Sequence, residues 1–246
     1  METAAKTTRY VVRLRSRQEV AERTFAFRFE KPAGFRFKPG QYLTLTPVHP
    51  TETDPQGNSR DLSIASAPHE EHLMVATRLR GSVFKRGLVS APLDSEFNID
   101  GPFGGFTLHN NVANAAILLA GGIGITPFRS MVLRAARDRS AHRIVLFYSN
   151  HRPEDAPFLE ELQSLEKENA NYRFVGVMTA MERSARVWNG ERGRLSRELL
   201  ARHLETAASP IFYIAGPPSL VSGVQVLLHE IGFDDDNIRA EEFAGY

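Results

Sequence analysis

Residues 115–131 read AAILLAGGIGITPFRSM, an unbroken apolar run that passes into a glycine-rich turn and then into the start of a helix. A continuous apolar run of this length is typical of a strand that is buried on both faces of a sheet. Similar runs that begin at residues 143, 172 and 211 alternate with helix-like stretches. This βαβ alternation predicts a parallel sheet with helices on its faces.

Before residue 110 the pattern differs, because short segments alternate apolar and polar residues. In TFAFRFE at 24–30, three phenylalanines occupy every second position, and this period of two indicates a β-strand. Several short strands without long helices between them predict a small antiparallel β-barrel. We therefore expect a barrel domain in residues 1–108 and a parallel-sheet α/β domain in residues 109–246.

The composition excludes several kinds of site and partner. The 246 residues contain no cysteine, which excludes disulfides, cysteine-ligated iron–sulfur clusters, thiolate zinc sites and cysteine nucleophiles. Basic and acidic residues number 30 and 29, so a nucleic-acid partner is not expected. Because no signal-peptide pattern and no apolar run of about 18 residues are present, we expect a cytoplasmic protein without a membrane segment.

The glycine-rich turn is the strongest candidate for a binding site. Gly122 and Gly124 lie between a buried strand and a helix start, where a phosphate could approach the backbone and meet unpaired N–H groups. The spacing differs from G-x-G-x-x-G, and such a turn can also serve only to connect strand and helix. Gly216 and Pro217 follow a later strand and fall at the same predicted sheet edge, although they could simply start a helix.

Two segments of the barrel offer groups for a ligand that contains phosphate. RDLS at 60–63 provides Arg60 for a phosphate and Ser63 for a ring nitrogen, but an edge strand with a solvated arginine would give the same pattern. In RGSVFK at 80–85, Ser82 could cap a short helix and leave N–H groups free for a phosphate. An ordinary capped surface helix is the alternative.

These segments, together with KPGQY at 38–42 and GPFG at 101–104, resemble the ferredoxin–NADP reductase superfamily of FAD-dependent oxidoreductases. The resemblance covers nearly the whole chain. It implies an FAD-binding barrel before a nicotinamide-nucleotide domain, with FAD as cofactor and NAD(P)H as hydride donor. RDLS is similar to the family's Arg-x-Tyr-Ser flavin motif, with Leu62 in place of tyrosine. AGPP stands where the family often has Cys-Gly-Pro-Pro, with Ala215 in place of cysteine.

The resemblance also implies roles for individual residues. Arg60 would contact the FAD pyrophosphate, Ser63 would lie beside flavin N5, and Thr126 would lie near the nicotinamide. Ser63, Glu241 and Phe243 are the implied catalytic residues, and no metal is expected. The residues implied to hold the flavin and its phosphates are Arg60, Leu62, Ser63, Thr77, Ser82, Phe84, Lys85 and Phe243.

The segment RAEEFAGY at 239–246 resembles the end of the family's last strand, where an aromatic residue stacks on the flavin. Phe243 is the expected stacking residue, with Tyr246 as the alternative, and Glu241 is the carboxylate two residues before Phe243. Phe243 could instead be only a core residue. Glu241 could be a solvated charge at the end of the strand.

The coenzyme preference stays open at this stage. An acidic residue after the second parallel strand would favour NAD, but SNHR stands there at 149–152. Arg152 or Arg183 could pair with the 2′-phosphate of NADP. Both arginines could equally be solvated.

The resemblance implies hydride transfer from NAD(P)H to flavin N5, followed by single-electron transfer to a carrier. Four basic residues within 78–86 could dock a small acidic carrier such as ferredoxin or flavodoxin, or they could be ordinary surface charge. An oxygenase component is another possible partner. The alternative functions are a flavin or small-molecule reductase without a protein carrier, and a non-catalytic redox sensor or interaction module. The four basic residues are Arg78, Arg80, Lys85 and Arg86.

Overall fold

The computed structural model describes residues 9–204 and 209–243, in which the strands form two six-stranded sheets. The first sheet consists of β1 (Arg9–Ala21), β2 (Thr24–Phe29), β3 (Tyr42–Pro47), β4 (Arg60–Ser63), β5 (Leu73–Arg78) and β6 (Glu96–Phe103). Its strand order is β4-β3-β6-β1-β2-β5, and neighbouring strands are antiparallel. A short helix, α1 (Val83–Ser90), follows β5.

The second sheet is parallel and carries the remaining helices of the described chain. Its strand order is β10-β9-β8-β7-β11-β12. The strands are β7 (Ala116–Gly121), β8 (Ile144–Asn150), β9 (Tyr172–Met178), β10 (Glu191–Arg192), β11 (Ile211–Gly216) and β12 (Ile238–Glu242). The helices are α2 (Ile125–Arg137), α3 (Leu159–Ser164), α4 (Arg197–Leu204) and α5 (Pro218–Glu230).

The apolar run that forms β7 is buried from both sides. Leu118 packs in one cluster with residues of α2 and α3, whereas Ile117 and Leu119 pack in another cluster with residues of α4 and α5. Successive side chains of a strand point to opposite faces, so a strand between two helical layers has to be apolar throughout. The predicted combination of an antiparallel barrel-like sheet and a parallel α/β sheet is confirmed.

The period of two in β2 also has a structural reason. Phe27 and Phe29 point into the core of the first sheet. Ala26, on the opposite face, is fully buried in a cluster that includes Ile123 of the second sheet's glycine-rich turn. The second face of β2 is therefore an interface between the sheets, and its small side chain allows them to approach closely.

The sequence at 156–167 has a helix-like pattern, but the α-helix found there is shorter. Phe158 has φ of 61°, in the left-handed region, so the helix α3 begins only at Leu159. A residue with positive φ cannot continue a right-handed helix, and the helical pattern in the sequence does not reveal this.

The two sheets are connected by residues 104–115, and the boundary that the sequence places after residue 108 falls inside this connection. The turn at Gly40 packs against it. Gly40 has φ of 98°, and a Cβ atom there would lie 2.0 Å from the carbonyl oxygen of Phe106. This turn therefore requires glycine, both for its backbone conformation and for its close contact with the connection.

One buried cation joins the sheets directly. The Arg129 side chain of α2 donates to the carbonyl oxygen of Ala65 at 2.8 Å and to the Glu70 carboxylate at 2.9 Å. It also donates to Glu161 of α3 at 2.6 Å. Burial alone would raise the pKa of Glu70, but the hydrogen bonds and charge of Arg129 outweigh this effect, and the pKa is lowered.

Within the described residues, no helix combines the length and the apolar character needed to cross a bilayer. The cytoplasmic location stays a prediction.

We expect Arg129→Met to lower the free energy of unfolding by about 3 kcal/mol, because two partly buried carboxylates lose their cation. Urea denaturation measures this quantity. Arg134→Met is the matched control, since Arg134 lies on the same helix but pairs with Asp138 at the surface. The control should cost less than about 1 kcal/mol. Equal losses for the two variants would contradict a special role for the buried pair.

Candidate functional site

A cleft of about 610 Å³ opens between the two sheets. One wall is formed by β4, β5 and the start of α1, and the other by the turn after β7 together with Phe243. The sequence-predicted site residues that line this cleft are Arg60, Leu62, Ser63, Thr77, Ser82, Phe84, Lys85, Thr126 and Phe243.

One end of the cleft is basic. Arg60, Arg80 and Lys85 all line it. Burial, and then repulsion from Arg60 and Arg80, lowers the pKa of Lys85. An anion between these groups would relieve their mutual repulsion, so this end of the cleft suits a phosphate or diphosphate.

Asp54 lies at the same end, in the segment DPQGN at 54–58, and no motif in the sequence singled it out. Its carboxylate is 2.9 Å from Arg60 Nη2. It also accepts hydrogen bonds from the Ser82 hydroxyl at 2.9 Å and the Phe84 N–H at 2.8 Å. Backbone N–H groups, led by that of Phe84, hold the pKa of Asp54 well below its usual range.

The start of α1 is where the sequence predicts a helix cap. Ser82 is the N-cap, as predicted, and its side chain accepts a hydrogen bond from the N–H of Lys85. The sequence leaves open whether the N–H groups of this helix start are free for a phosphate; that of Phe84 is bonded to Asp54. This N–H is not available to a phosphate, because a carboxylate distant in sequence reaches the helix start.

The opposite wall begins at the glycine-rich turn. The Thr126 hydroxyl donates to the carbonyl oxygen of Ile123 at 3.0 Å, so towards a ligand it can act only as an acceptor. Gly122 has φ of 54°, as the tight turn requires. A Cβ atom at Gly124 would lie 2.2 Å from the carbonyl oxygen of Ala215, so this glycine lets β7 and β11 end side by side.

Phe243 is attached to the neighbouring loop. Its N–H donates to the carbonyl oxygen of Gly216 at 2.9 Å. The next residue of that loop, Pro217, occupies the N-cap position of α5. The loop at 216–217 and the turn at 122–124 follow the adjacent strands β11 and β7 at the carboxyl edge of the sheet. Tyr246, the alternative stacking residue, lies outside the described residues.

Glu241 lies on β12 beside Ala215 of β11 and is half-buried. It does not belong to the described residues that line the cleft. Burial raises its pKa to about 7. A carboxyl group with such a pKa can carry or release a proton near neutral pH.

The two arginines considered for a 2′-phosphate have different environments. Arg152 forms ion pairs with Asp155 at 2.9 Å and with Glu22 of the turn between β1 and β2 at 2.6 Å, so its charge is already neutralised. Arg183 is largely exposed after β9, 3.6 Å from Glu182. The structure therefore leaves Arg183, rather than Arg152, accessible to a phosphate.

The four basic residues at 78–86 do not form one surface. Arg78, Arg80 and Lys85 line the cleft, and Arg78 also donates to the carbonyl oxygen of Asp155 at 2.7 Å. Arg86 lines a separate cavity on another side of α1. The four residues therefore do not share one docking surface, and a carrier-docking role for them stays a prediction. In the part of the chain that the structure describes, no cluster of metal-ligating side chains occurs.

The sequence matches one known protein family over part of its length and is similar to known proteins. Residues 118–226 match the family described as oxidoreductase NAD-binding domain. The reductase subunit of glycine betaine monooxygenase from Chromohalobacter salexigens is 29% identical over 225 residues, which are 90% of this chain and 60% of that protein. A flavohemoprotein from Dictyostelium discoideum is 25% identical over 217 residues, which are 83% of this chain and 52% of that protein. The chain thus spans about three fifths or less of the length of these relatives.

Solved structures share the fold. A ferredoxin–NADP⁺ reductase from Neisseria gonorrhoeae with bound FAD and NADP superimposes with a TM-score of 0.78 at 23% identity, over 97% of this chain and 99% of that one. The Amycolatopsis cytochrome P450 reductase gives a TM-score of 0.80 at 18% identity, over 98% of this chain and 72% of that one.

We expect Gly124→Ala to destabilise the protein, because the new methyl group would clash with the backbone of β11. The loss should be about 1–3 kcal/mol in urea denaturation. Gly223→Ala in α5 is the matched control, since nothing lies within 4 Å of its added Cβ and alanine favours a helix. If Gly124→Ala left the free energy of unfolding unchanged, this prediction would be contradicted, because the ends of β7 and β11 could then separate.

Glu241→Gln should change how stability depends on pH. Because the pKa is raised in the folded protein, wild type loses stability as pH rises from a glutamate's ordinary pKa to about 7. Glutamine stays neutral and does not undergo this loss. The stability of the variant relative to wild type should therefore be higher at about pH 8 than at about pH 5. Urea denaturation at both values tests this, with exposed Glu242→Gln as control. If the stability difference between Glu241→Gln and wild type were the same at both pH values, this prediction would be contradicted.

Proposed function

We propose that this chain, which has the two-domain fold of ferredoxin–NADP reductases, is an FAD-dependent oxidoreductase that moves hydride from NAD(P)H to flavin N5 and single electrons onward to an acceptor. The observation that carries the proposal is the cleft between the sheets. There, a basic barrel wall faces the glycine-rich turn of the oxidoreductase NAD-binding domain.

The basic end of the cleft fits the diphosphate of FAD. Among the described residues that line the cleft, the cations Arg60, Arg78, Arg80 and Lys85 outnumber the carboxylates of Asp54 and Asp61. Arg60 Nη2 is buried and lies 2.9 Å from Asp54 Oδ2, but its hydrogens are not directed at an acceptor among the described residues. A buried donor without an acceptor is costly, and a phosphate oxygen would supply the missing partner.

The remaining lining suits a flat ring system. Leu62 offers apolar contact where the family's motif has an aromatic residue, and the Ser63 hydroxyl can donate to or accept from a ring nitrogen. Phe243 approaches from the opposite wall. These side chains would orient the ring and keep water away from it.

The nicotinamide nucleotide would enter along the carboxyl edge of the parallel sheet. The backbone at 122–124 and 216–217 would receive its pyrophosphate, and Thr126 would lie near its reactive ring. Hydride transfer requires the two rings to be in near contact, so Phe243 has to give way when the nucleotide binds. Arg183 is the accessible side chain for a 2′-phosphate.

We place the electron acceptor outside these 246 residues. No cysteine occurs in these 246 residues, so they cannot hold a cysteine-ligated iron–sulfur cluster. One relative is the reductase subunit of a monooxygenase. An oxygenase component, or a ferredoxin-type carrier that serves one, is therefore the acceptor that we favour.

The purified protein should bind FAD and turn yellow, and NADH or NADPH should bleach the flavin absorbance without oxygen in a stopped-flow experiment. Arg60→Ala should weaken FAD binding about 10- to 150-fold, because a charge-assisted contact to phosphate is lost. Exposed Arg36→Ala, in the same sheet's connecting loop, is the control. A protein that binds no FAD, or a bound flavin that neither nucleotide reduces, would refute the proposed function.

A further inference from the structure

The loop between β3 and β4 is organised around Asp54. Its Oδ1 accepts the N–H of Gln56 at 2.9 Å, and its own N–H donates to the Asn58 side chain at 2.9 Å. Asp54 is only 4% exposed, although it lies in a loop of polar residues. A carboxylate is rarely buried to this extent unless it is paired and hydrogen-bonded.

The other carboxylate oxygen reaches out of the loop to α1. Oδ2 accepts from the Ser82 hydroxyl and the Phe84 N–H, so it ties the loop to the start of this helix. The negative charge also lies at the positive end of the helix dipole. Asp54 therefore links two segments that both border the basic end of the cleft.

Arg60 is held between these two segments. Its Nη1 donates to the carbonyl oxygens of Gly57 at 2.5 Å and Ser59 at 2.7 Å. Its guanidinium lies over the Phe84 ring, 5.2 Å from the ring centre. Its Nη2 lies 2.9 Å from Asp54 Oδ2, but the hydrogens of Nη2 are not directed at any acceptor among the described residues.

From this arrangement we infer that Asp54 is a positioning residue for the FAD diphosphate. It holds Arg60 in place by charge, and it leaves the hydrogen-bond donors of Nη2 for a phosphate oxygen. The inference rests on the proposed function and extends it to a residue that does not itself touch the cofactor. The physical gain is preorganisation, because a long arginine side chain otherwise loses rotamer entropy when it binds a phosphate.

Simple electrostatics predicts the opposite effect, which makes the inference testable. If Asp54 acted only as a negative charge beside the diphosphate, its removal would tighten FAD binding. If it positions Arg60, its removal weakens FAD binding. Riboflavin has no diphosphate, so its binding should not change.

The experiment measures dissociation constants of FAD and riboflavin by flavin fluorescence, with the apoprotein of each variant. Asp54→Ala should weaken FAD binding about 10-fold or more and leave riboflavin binding unchanged. In an Arg60→Ala background the same substitution should add little, because its effect passes through Arg60. Asp54→Asn keeps an oxygen acceptor for the helix start, so it should retain the fold and still weaken FAD binding. Exposed Asp138→Ala, which removes a surface ion pair with Arg134 away from the cleft, is the matched control.

Three results would overturn the inference alone. They are tighter FAD binding by Asp54→Ala, equal losses for FAD and riboflavin, and a full additive effect in the Arg60→Ala background. Wild-type protein that binds no FAD would instead refute the proposed function, and the inference with it.

Discussion

The buried guanidinium of Arg129 is the interaction on which the arrangement of the two sheets depends. It is 3% exposed and joins the loop after β4 to the parallel-sheet layer. Thr126, one helical turn earlier on α2, borders the cleft. Helix α2, which is bound to the first half of the chain through Arg129, therefore also places the glycine-rich turn opposite the barrel residues. Because arginine stays charged at any pH at which the protein is folded, this link requires only that its carboxylate partners are ionised.

Small residues allow the sheets to approach each other around this link. Ala26 and Ala76 pack beneath Ile123, in a cluster that a larger side chain would force apart. At the other wall, the backbone of Gly124 lies against Ala215, which keeps the ends of β7 and β11 together. The cleft owes its shape to this close packing, since a shift of either sheet would separate its two walls.

The net charge of +1 does not show how unevenly the charges are distributed over the structure. Arg152 is neutralised by Glu22 and Asp155, and Arg129 by Glu70 and Glu161. Arg60, Arg80 and Lys85 lie together at one end of the cleft, where Asp54 pairs with Arg60. A net charge near zero thus excludes a broadly basic surface, but it does not exclude a local site for an anionic ligand.

The sequence by itself determined the two kinds of sheet and the place of the glycine-rich turn. Strand periodicity and a turn after a buried strand are local features, which follow from backbone geometry over a few residues. It also identified Ser82 as a helix cap for the same reason. Only the tertiary structure decided which charged groups already have partners. Arg152 pairs with Glu22, which is 130 residues away in the sequence, and Asp54 accepts a hydrogen bond from the N–H of Phe84, which is 30 residues away. Such pairs depend on how separate elements pack, and no local pattern of residues encodes that packing.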